Sequence, residues 1–291
     1  MSAERGNLLV TGASGQIGQA VCRLLQAQKR SFLAVDAQPD GCVLVCDLRD
    51  KPVVARLFDQ NSIDGVIHLA AVLPTAFHRD PLAAVEVNLG ATFELLRQST
   101  KHHVPRFVFA SSMSVFGTTF DPRPRNEDDS VAPADAYGAA KRAVEIVGDN
   151  LAESKAIEFV SLRIARVVGP GARNTSSPWR SQIFKQPAPK DPIRIPFAAD
   201  AFLPLVYVDD VAEELVILAH APRLAFTAYN TVAETLQVQA LKDMLEQSRQ
   251  MRVELGSGNR DGGPLCDGSR FAKEFGFTTR TLQDRLAEIE G

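Results

Sequence analysis

Short apolar runs alternate with amphipathic stretches along the first half of the chain. The runs are continuously hydrophobic, which is typical of strands buried on both faces of a parallel sheet. The stretches between them repeat apolar residues at helical spacing. The predicted strands cover residues 7–11, 31–36, 42–46, 65–71, 107–111 and 158–164. The predicted helices cover residues 18–28, 51–60, 81–102 and about 135–154.

Strands and helices that alternate in this order predict an α/β fold, a doubly wound Rossmann-type parallel sheet with helices on both faces. After Gly169 the chain becomes rich in proline, glycine and polar residues, and its periodic elements are short (205–208, 211–219 and 236–249). We therefore expect a Rossmann domain over residues 1–165. Residues 166–291 are expected to form mostly a smaller substrate-binding lobe, with some segments returning to the Rossmann core.

The composition is that of an ordinary globular protein. Of 291 residues, 45% are hydrophobic and 23% charged, and the net charge of −3 gives no indication of a nucleic-acid or membrane partner. No apolar run approaches the ~20 residues of a membrane helix, and the polar residues 1–7 do not resemble a secretory signal. The four cysteines lack metal-ligand spacing. We expect them to be reduced, in a cytoplasmic protein without a metal site.

A glycine-rich turn, residues 11–18 (TGASGQIG), joins the first predicted strand to the first helix. Glycines at 12, 15 and 18 allow a tight turn, close approach of the backbone to a pyrophosphate, and close packing of helix on strand. The N–H groups at Gln16 and Ile17, where the helix begins, favour an anion. An ordinary glycine-rich turn is the alternative, but the strand–turn–helix context favours dinucleotide binding.

Asp36 ends the second predicted strand, 18 residues after Gly18. In dinucleotide-binding folds, a carboxylate about 20 residues further along the chain hydrogen-bonds the ribose hydroxyls of NAD. It would repel the additional phosphate of NADP, and no arginine adjoins it to offset that repulsion. The sequence therefore predicts NAD rather than NADP.

Tyr137 and Lys141 lie four residues apart (YGAAK), so they share one face of a predicted helix. A free tyrosine has a pKa of about 10, and a neighbouring ammonium lowers it toward the range of a general acid or base. Ser111 and Ser112 end the preceding strand, at the sheet edge where ligands bind in such folds. Taken alone, such a pair is more often a packed tyrosine beside a solvated lysine; its position after the fifth strand favours the catalytic interpretation.

Taken together, these motifs resemble the extended short-chain dehydrogenases/reductases, the NAD-dependent epimerase/dehydratase family. The resemblance covers nearly the whole chain. Phe116 stands where the family has a tyrosine. The matching segments are 11–18 (TGASGQIG), 47–48 (DL), 68–71 (HLAA), 87–92 (VNLGAT), 111–117 (SSMSVFG), 126–127 with Pro133, 137–141 (YGAAK) and 208–211 (VDDV).

The resemblance implies hydride transfer between NAD and a substrate carbon, with proton transfer through Tyr137. Aligned on this family, the catalytic serine is Ser112, which would orient the substrate oxygen, and Lys141 would bind the nicotinamide ribose. The further cofactor-binding residues that it implies are Asp47 and Leu48 beside the adenine, the backbone of Leu69, Ala70 and Ala71, and Asn88.

The second half departs from the nucleotide-sugar members of the family. Arg166 stands where those members tend to have an asparagine. Those members also tend to have an arginine just upstream of VDD, where this chain has residues 203–205 (LPL). Residues 169–185 look more like the branch that oxidises small sugar acids and polyols, such as the D-erythronate dehydrogenases. An acidic substrate would then be held by Arg166, Arg173 or Arg180, with Asn174 nearby, although each arginine could also be a solvated or structural charge.

The leading hypothesis is an NAD-dependent oxidoreductase that acts on a secondary alcohol or ketone of a small sugar, polyol or sugar acid. An epimerase or dehydratase with tightly bound NAD is the second hypothesis. A regulator that senses NAD(H) without turnover is the third, although such relatives usually lose the Tyr–Lys pair. The helices at 81–102 and 135–154 resemble those through which this family forms homodimers.

Overall fold

A computed structural model of the protein describes residues 7–38, 43–118, 123–172, 177–186, 190–259 and 261–289. Within these ranges the strands are β1 (Asn7–Thr11), β2 (Phe32–Asp36), β3 (Leu44–Val45), β4 (Ile63–His68), β5 (Arg106–Ser112), β6 (Glu158–Ile164), β7 (Arg166–Val168), β8 (Ile193–Ile195), β9 (Phe202–Tyr207), β10 (Ala228–Asn230), β11 (Glu234–Gln237) and β12 (Val253–Leu255). The α-helices are α1 (Gln16–Ala27), α2 (Lys51–Gln60), α3 (Pro74–Arg79), α4 (Pro81–Val85), α5 (Thr92–Lys101), α6 (Ala136–Glu153), α7 (Trp179–Gln182), α8 (Val208–His220), α9 (Val238–Arg249), α10 (Ser269–Phe275) and α11 (Leu282–Ala287).

The central sheet has seven parallel strands in the order β10-β6-β5-β4-β1-β2-β3. The strand order reverses between β1 and β4, which defines a doubly wound sheet and confirms the predicted fold class. One apolar cluster packs α1 and α8 on one face of the sheet, and a second packs α2, α5 and α6 on the other. Both faces are therefore covered, which explains why the strands read as continuous apolar runs.

The central sheet differs from the prediction at its edges and ends. β4 ends at His68 instead of residue 71, so residues 69–71 leave the sheet at its carboxyl edge. β3 keeps only Leu44 and Val45, and Cys42, where this strand was predicted to begin, lies outside the described residues. β10 was not predicted, because three residues are too short to show a period; it extends the sheet by pairing with β6.

The second half of the chain forms most of a smaller layer beside this sheet. Two small sheets, β11-β9-β7 and β12-β8, pack with α7, α9 and α11 around one apolar cluster. The chain also returns to the main sheet in β10 and α8. The division at residue 165 stays a prediction.

Two features of the helices position residues of the site. Asp135 caps α6, because its carboxylate accepts the N–H of Gly138 at 2.7 Å. The helical segment from α4 to α5 is continuous but includes one wide π-turn, Glu86–Ala91. Such turns often mark functional positions, and this one contains Asn88.

Candidate active site

The turn after β1 brings the backbone against the end of β4. Gly12 has a φ of +68°, and a Cβ there would lie 2.6 Å from the backbone nitrogen of Ala70. A Cβ at Gly18 would collide with the Gly12 carbonyl oxygen. No side chain caps α1 at Gly15, so its first N–H groups are left for an anion. Side chains in place of Gly12 and Gly18 would have no room here. The backbone of this turn therefore fits the pyrophosphate of NAD.

Gln16 connects this turn to the second half of the chain. Its Nε2 donates to the carbonyl oxygens of Gly169 and Pro170, at 2.9 and 3.0 Å. The Gln16 side-chain amide is therefore already hydrogen-bonded within the protein. A contact between the Gln16 backbone and the cofactor stays a prediction. Ile17, the next residue, packs against the core on the α1 side of the sheet.

Asp36 lies beside the glycine-rich turn. Its carboxylate accepts the backbone N–H groups of Ser14 and Gln38, each at 3.0 Å. Its contact with a ribose stays a prediction. After β3, the Asp47 carboxylate forms a partly exposed ion pair with Arg49, 2.7 Å away, which lowers the pKa of Asp47.

His68, the last residue of β4, is buried between two threonines. Its Nδ1 lies 2.7 Å from the Thr11 hydroxyl and its Nε2 2.8 Å from the Thr92 hydroxyl. The Thr92 hydroxyl donates to the Asn88 carbonyl at 2.9 Å, so it accepts from Nε2, and Nδ1 accepts from Thr11. Burial, and then the charge of Lys141, lowers the pKa of His68 to about 3. The imidazole is therefore neutral.

This network fixes the segment that follows β4. Thr11 Oγ1 accepts the N–H groups of Leu69 and Ala70 at 3.2 and 3.3 Å. The Asn88 amide accepts the N–H of Val72 at 2.7 Å and donates to its carbonyl at 2.9 Å. Asn88 therefore hydrogen-bonds both the N–H and the carbonyl of Val72, the residue that follows Ala71. Direct contacts of these residues with NAD stay predictions.

The three predicted catalytic residues lie together at the carboxyl end of β5. The Tyr137 hydroxyl lies close enough to the Ser112 side chain for their interaction to lower the pKa of Tyr137. The Lys141 Nζ lies 5.7 Å from the centre of the Tyr137 ring and donates to the Ala110 carbonyl at 2.7 Å. Ser111 instead donates to the buried carboxylate of Glu145 at 2.6 Å. The serine beside the tyrosine is therefore Ser112.

Burial controls the protonation of this group. It raises the pKa of Tyr137 to about 12, an effect that the interaction with Ser112 opposes. It lowers the pKa of Lys141 to about 7, an effect that the charge of Glu145 opposes. The lowered tyrosine pKa expected from the ammonium does not appear, because desolvation of the phenolate is the larger effect.

Sequence reasoning missed two residues of this group. Ser114 accepts a hydrogen bond from Ser112 at 3.1 Å, and its backbone N–H donates back to Ser112 Oγ at 3.1 Å. Glu145 lies one turn beyond Lys141 on α6. Its spacing from Tyr137 and Lys141, four residues at each step, is the signal that could have identified it.

Arg166 follows β6 at the same edge of the sheet. Its Nη2 donates to the Gly262 carbonyl at 2.8 Å, and its guanidinium lies 4.9 Å from the centre of the Phe197 ring. Its buried Nε has no hydrogen-bond partner among the described residues. Burial, together with repulsion from Arg180, lowers the pKa of Arg166 to about 10, while Asp261 opposes the shift.

Arg180, in α7, is half-buried, and burial lowers the pKa of its guanidinium. The guanidiniums of Arg166 and Arg180 lie close enough to repel each other. The other two residues predicted to bind substrate, Arg173 and Asn174, lie outside the described residues.

In the described part of the chain, no group of three or more His, Cys, Asp or Glu side chains is arranged to hold a metal ion. None of the helices within the described ranges has the length and apolar character needed to cross a membrane.

Three comparisons with known proteins extend this description. A UDP-glucose 4-epimerase of Halalkalibacterium halodurans is 30% identical over 171 residues, 56% of this chain and 51% of the relative. The chain thus matches about half the length of that epimerase. A D-erythronate dehydrogenase of Cupriavidus necator is 27% identical over 286 residues, 85% of this chain and 87% of the relative. The solved UDP-glucose 4-epimerase of Thermus thermophilus in complex with NAD has a TM-score of 0.82 at 22% identity, covering 98% of this chain and 99% of that chain.

The seven-stranded sheet and the glycine-rich turn define a dinucleotide-binding protein of the Rossmann class. The profile of the NAD dependent epimerase/dehydratase family matches residues 8–231. The chain belongs to this family of NAD-dependent enzymes, as the sequence motifs predicted, and its cofactor is NAD.

Proposed function

We propose that this protein is an NAD-dependent dehydrogenase that interconverts a secondary alcohol and a ketone on a small sugar, polyol or sugar acid. The observation that carries the proposal is the juxtaposition of Ser112, Tyr137 and Lys141 at the carboxyl edge of the sheet, the same edge at which the glycine-rich turn follows β1. NAD, when bound, supplies the hydride acceptor or donor.

The side chains of Ser112, Tyr137 and Lys141 bind the substrate and transfer the proton. Ser112 binds and orients the substrate oxygen. Tyr137 takes the proton from that oxygen during oxidation and returns it during reduction. The Lys141 ammonium favours the phenolate that this exchange requires, and it would bind the ribose next to the nicotinamide.

Arg166 and Arg180 support an acidic substrate. A carboxylate would pair with the two guanidiniums, which repel each other, and would satisfy the unpaired Nε of Arg166. Trp179, next to Arg180, also has a buried Nε1 without a partner among the described residues. The D-erythronate dehydrogenase relative, which this chain matches over most of its length, supports the same substrate class and a role in carbohydrate metabolism.

An epimerase that returns the hydride to its own substrate is the second candidate, because UDP-glucose 4-epimerases are among the relatives. A regulator that binds NAD(H) without turnover is disfavoured by the intact Ser112, Tyr137 and Lys141 group.

The test is the NADH absorbance band, followed with NAD and a panel of polyols, aldonates and uronates. A dehydrogenase produces free NADH with at least one member. Tightly bound NAD with interconversion of sugar epimers and no net NADH would establish the epimerase instead. A parallel panel with NADP tests the preference expected from Asp36, and equal rates with both cofactors would contradict it.

We further propose a cytoplasmic homodimer formed through α6 and the helix that begins at Pro81. These helices expose large apolar side chains that a monomer would leave in water: Leu82, 80% exposed, and Ile146, 47% exposed, with Val85 and Val147 nearby. A second copy that covers this surface would bury them.

Light scattering at micromolar concentration should give the mass of a dimer, and Leu82→Glu should lower it toward that of a monomer. The reason is that the substitution places charge in the buried centre of the proposed interface. Phe202→Glu, at an apolar residue 48% exposed on β9, is the matched control and should leave the dimer intact. A monomeric parent protein would refute the proposal.

A further inference from the structure

Glu145 is a buried carboxylate that the proposed chemistry does not use. Only 1% of its side chain is exposed. Ser111 and Arg163 donate to Oε1, at 2.6 and 3.0 Å. Arg142 and Arg163 donate to Oε2, each at 3.0 Å. A carboxylate with four donors, two of them from one guanidinium fork, is held in one position.

The Arg163 side chain extends this network to Phe116 and Glu127. Its guanidinium lies 5.1 Å from the centre of the Phe116 ring, and Nη1 donates to the Glu127 carbonyl at 3.3 Å. Only 5% of the side chain is exposed. The cation is therefore fixed against Glu145, and it anchors the carboxylate.

Lys141 lies between Tyr137 and Glu145 on one face of α6, four residues from each. Its Nζ has one neutral acceptor, the Ala110 carbonyl, and lies 4.6 Å from the centre of the Phe109 ring. Neither contact supplies a negative charge. The lysine is buried, so its ammonium form requires an anion nearby.

We propose that Glu145 is a positioning residue that keeps Lys141 in its ammonium form beside Tyr137. Tyr137, from α6, and His68, from β4, which is neutral, are further titratable groups near Lys141. Arg142 and Arg163 are the cations that pair with Glu145. Burial brings the pKa of Lys141 to about 7 even with Glu145 present. Loss of this carboxylate would therefore discharge the lysine at neutral pH.

The first test does not depend on turnover. In protein labelled with ¹³C-lysine, the Cε chemical shift of Lys141, assigned through Lys141→Arg, reports its titration. In Glu145→Gln the midpoint should fall by about one to two pH units, the size expected for a unit charge about 6 Å away at intermediate dielectric. Glu145→Asp, which keeps the charge, should restore the midpoint to within a few tenths of a unit. An unchanged midpoint in Glu145→Gln would overturn the proposal.

Glu145→Gln leaves two arginines without their carboxylate and could fail to fold. The double variant Glu145→Gln/Arg163→Met removes the fully buried partner as well. Its midpoint should still fall, but by less than in Glu145→Gln, because a positive charge is lost together with the negative one. A purely structural role for Glu145 would lower the melting temperature of these variants without moving the Lys141 midpoint.

The catalytic consequence rests on the proposed function. With less ammonium beside it, Tyr137 accepts the substrate proton less readily near neutral pH, so kcat/KM for alcohol oxidation at pH 7 should shift downward by about tenfold in Glu145→Gln. The direct effect of Glu145 on Tyr137 is smaller, because eight helical residues span about 12 Å. An inactive parent protein would refute the proposed dehydrogenase, whereas an active parent with an unshifted variant would refute the role of Glu145.

Discussion

Tyr137→Phe is expected to lower kcat by about 10²- to 10⁴-fold, the range typical of a lost general acid or base, while the affinity for NAD changes little. The substitution removes only the hydroxyl that exchanges a proton with the substrate. The ring keeps its edge contact with Phe77, 6.2 Å between ring centres, so α6 should keep its position. Steady-state NADH formation and calorimetric titration with NAD measure the two quantities.

Tyr229→Phe is the matched control. Tyr229 is also fully buried, but its hydroxyl donates to Glu274 at 2.7 Å, and it lies on β10. Its loss should affect stability and leave kcat near that of the parent. If Tyr137→Phe kept more than about a tenth of the parent kcat, Tyr137 would not be the proton carrier.

Arg166→Met is expected to raise KM for an acidic substrate by about 30-fold or more, the equivalent of about 2 kcal/mol for a truncated charge pair. KM for a neutral polyol should change much less, because that substrate has no carboxylate to lose its partner. The melting temperature should hold, since burial already disfavours the Arg166 charge and methionine can fill the apolar space beside Phe197.

KM values for an aldonate and for the corresponding polyol, measured by NADH formation, separate these cases. Arg194→Met is the control, because the Arg194 side chain is 83% exposed and pairs with Glu254 on the surface. Equal changes of KM for both substrates in Arg166→Met would show that Arg166 supports the fold of the site and does not bind the carboxylate.

The first half of the fold could be predicted because its elements are long and periodic. The structure reproduces the predicted helix α2 (Lys51–Gln60) and strand β6 (Glu158–Ile164) without change. β10 could not be predicted in the same way. It owes its place in the sheet to pairing with β6, a tertiary contact that three residues do not encode as a pattern.

The residues of the candidate site also differ in whether the sequence could predict them. Tyr137, Lys141 and Ser112 carry recognisable spacing, and the structure brings them together. Glu145 and Arg163 are charged residues 18 positions apart, and such residues on a helix and a strand usually face solvent. Their ion pair forms only when α6 packs on β6, because each charge is then buried and needs an opposite charge beside it.

The neutral imidazole of His68 makes the folded protein sensitive to acid. An unfolded chain binds a proton at this side chain below about pH 6.5, whereas the folded protein does so only near pH 3. Between these values the unfolded state holds more protons, so the free energy of unfolding decreases as the pH falls. The loss from this side chain approaches about 1.4 kcal/mol per pH unit, or about 2 kcal/mol by pH 5. Urea unfolding at pH 7 and pH 5 should reveal it, and equal stability at both would contradict a neutral His68.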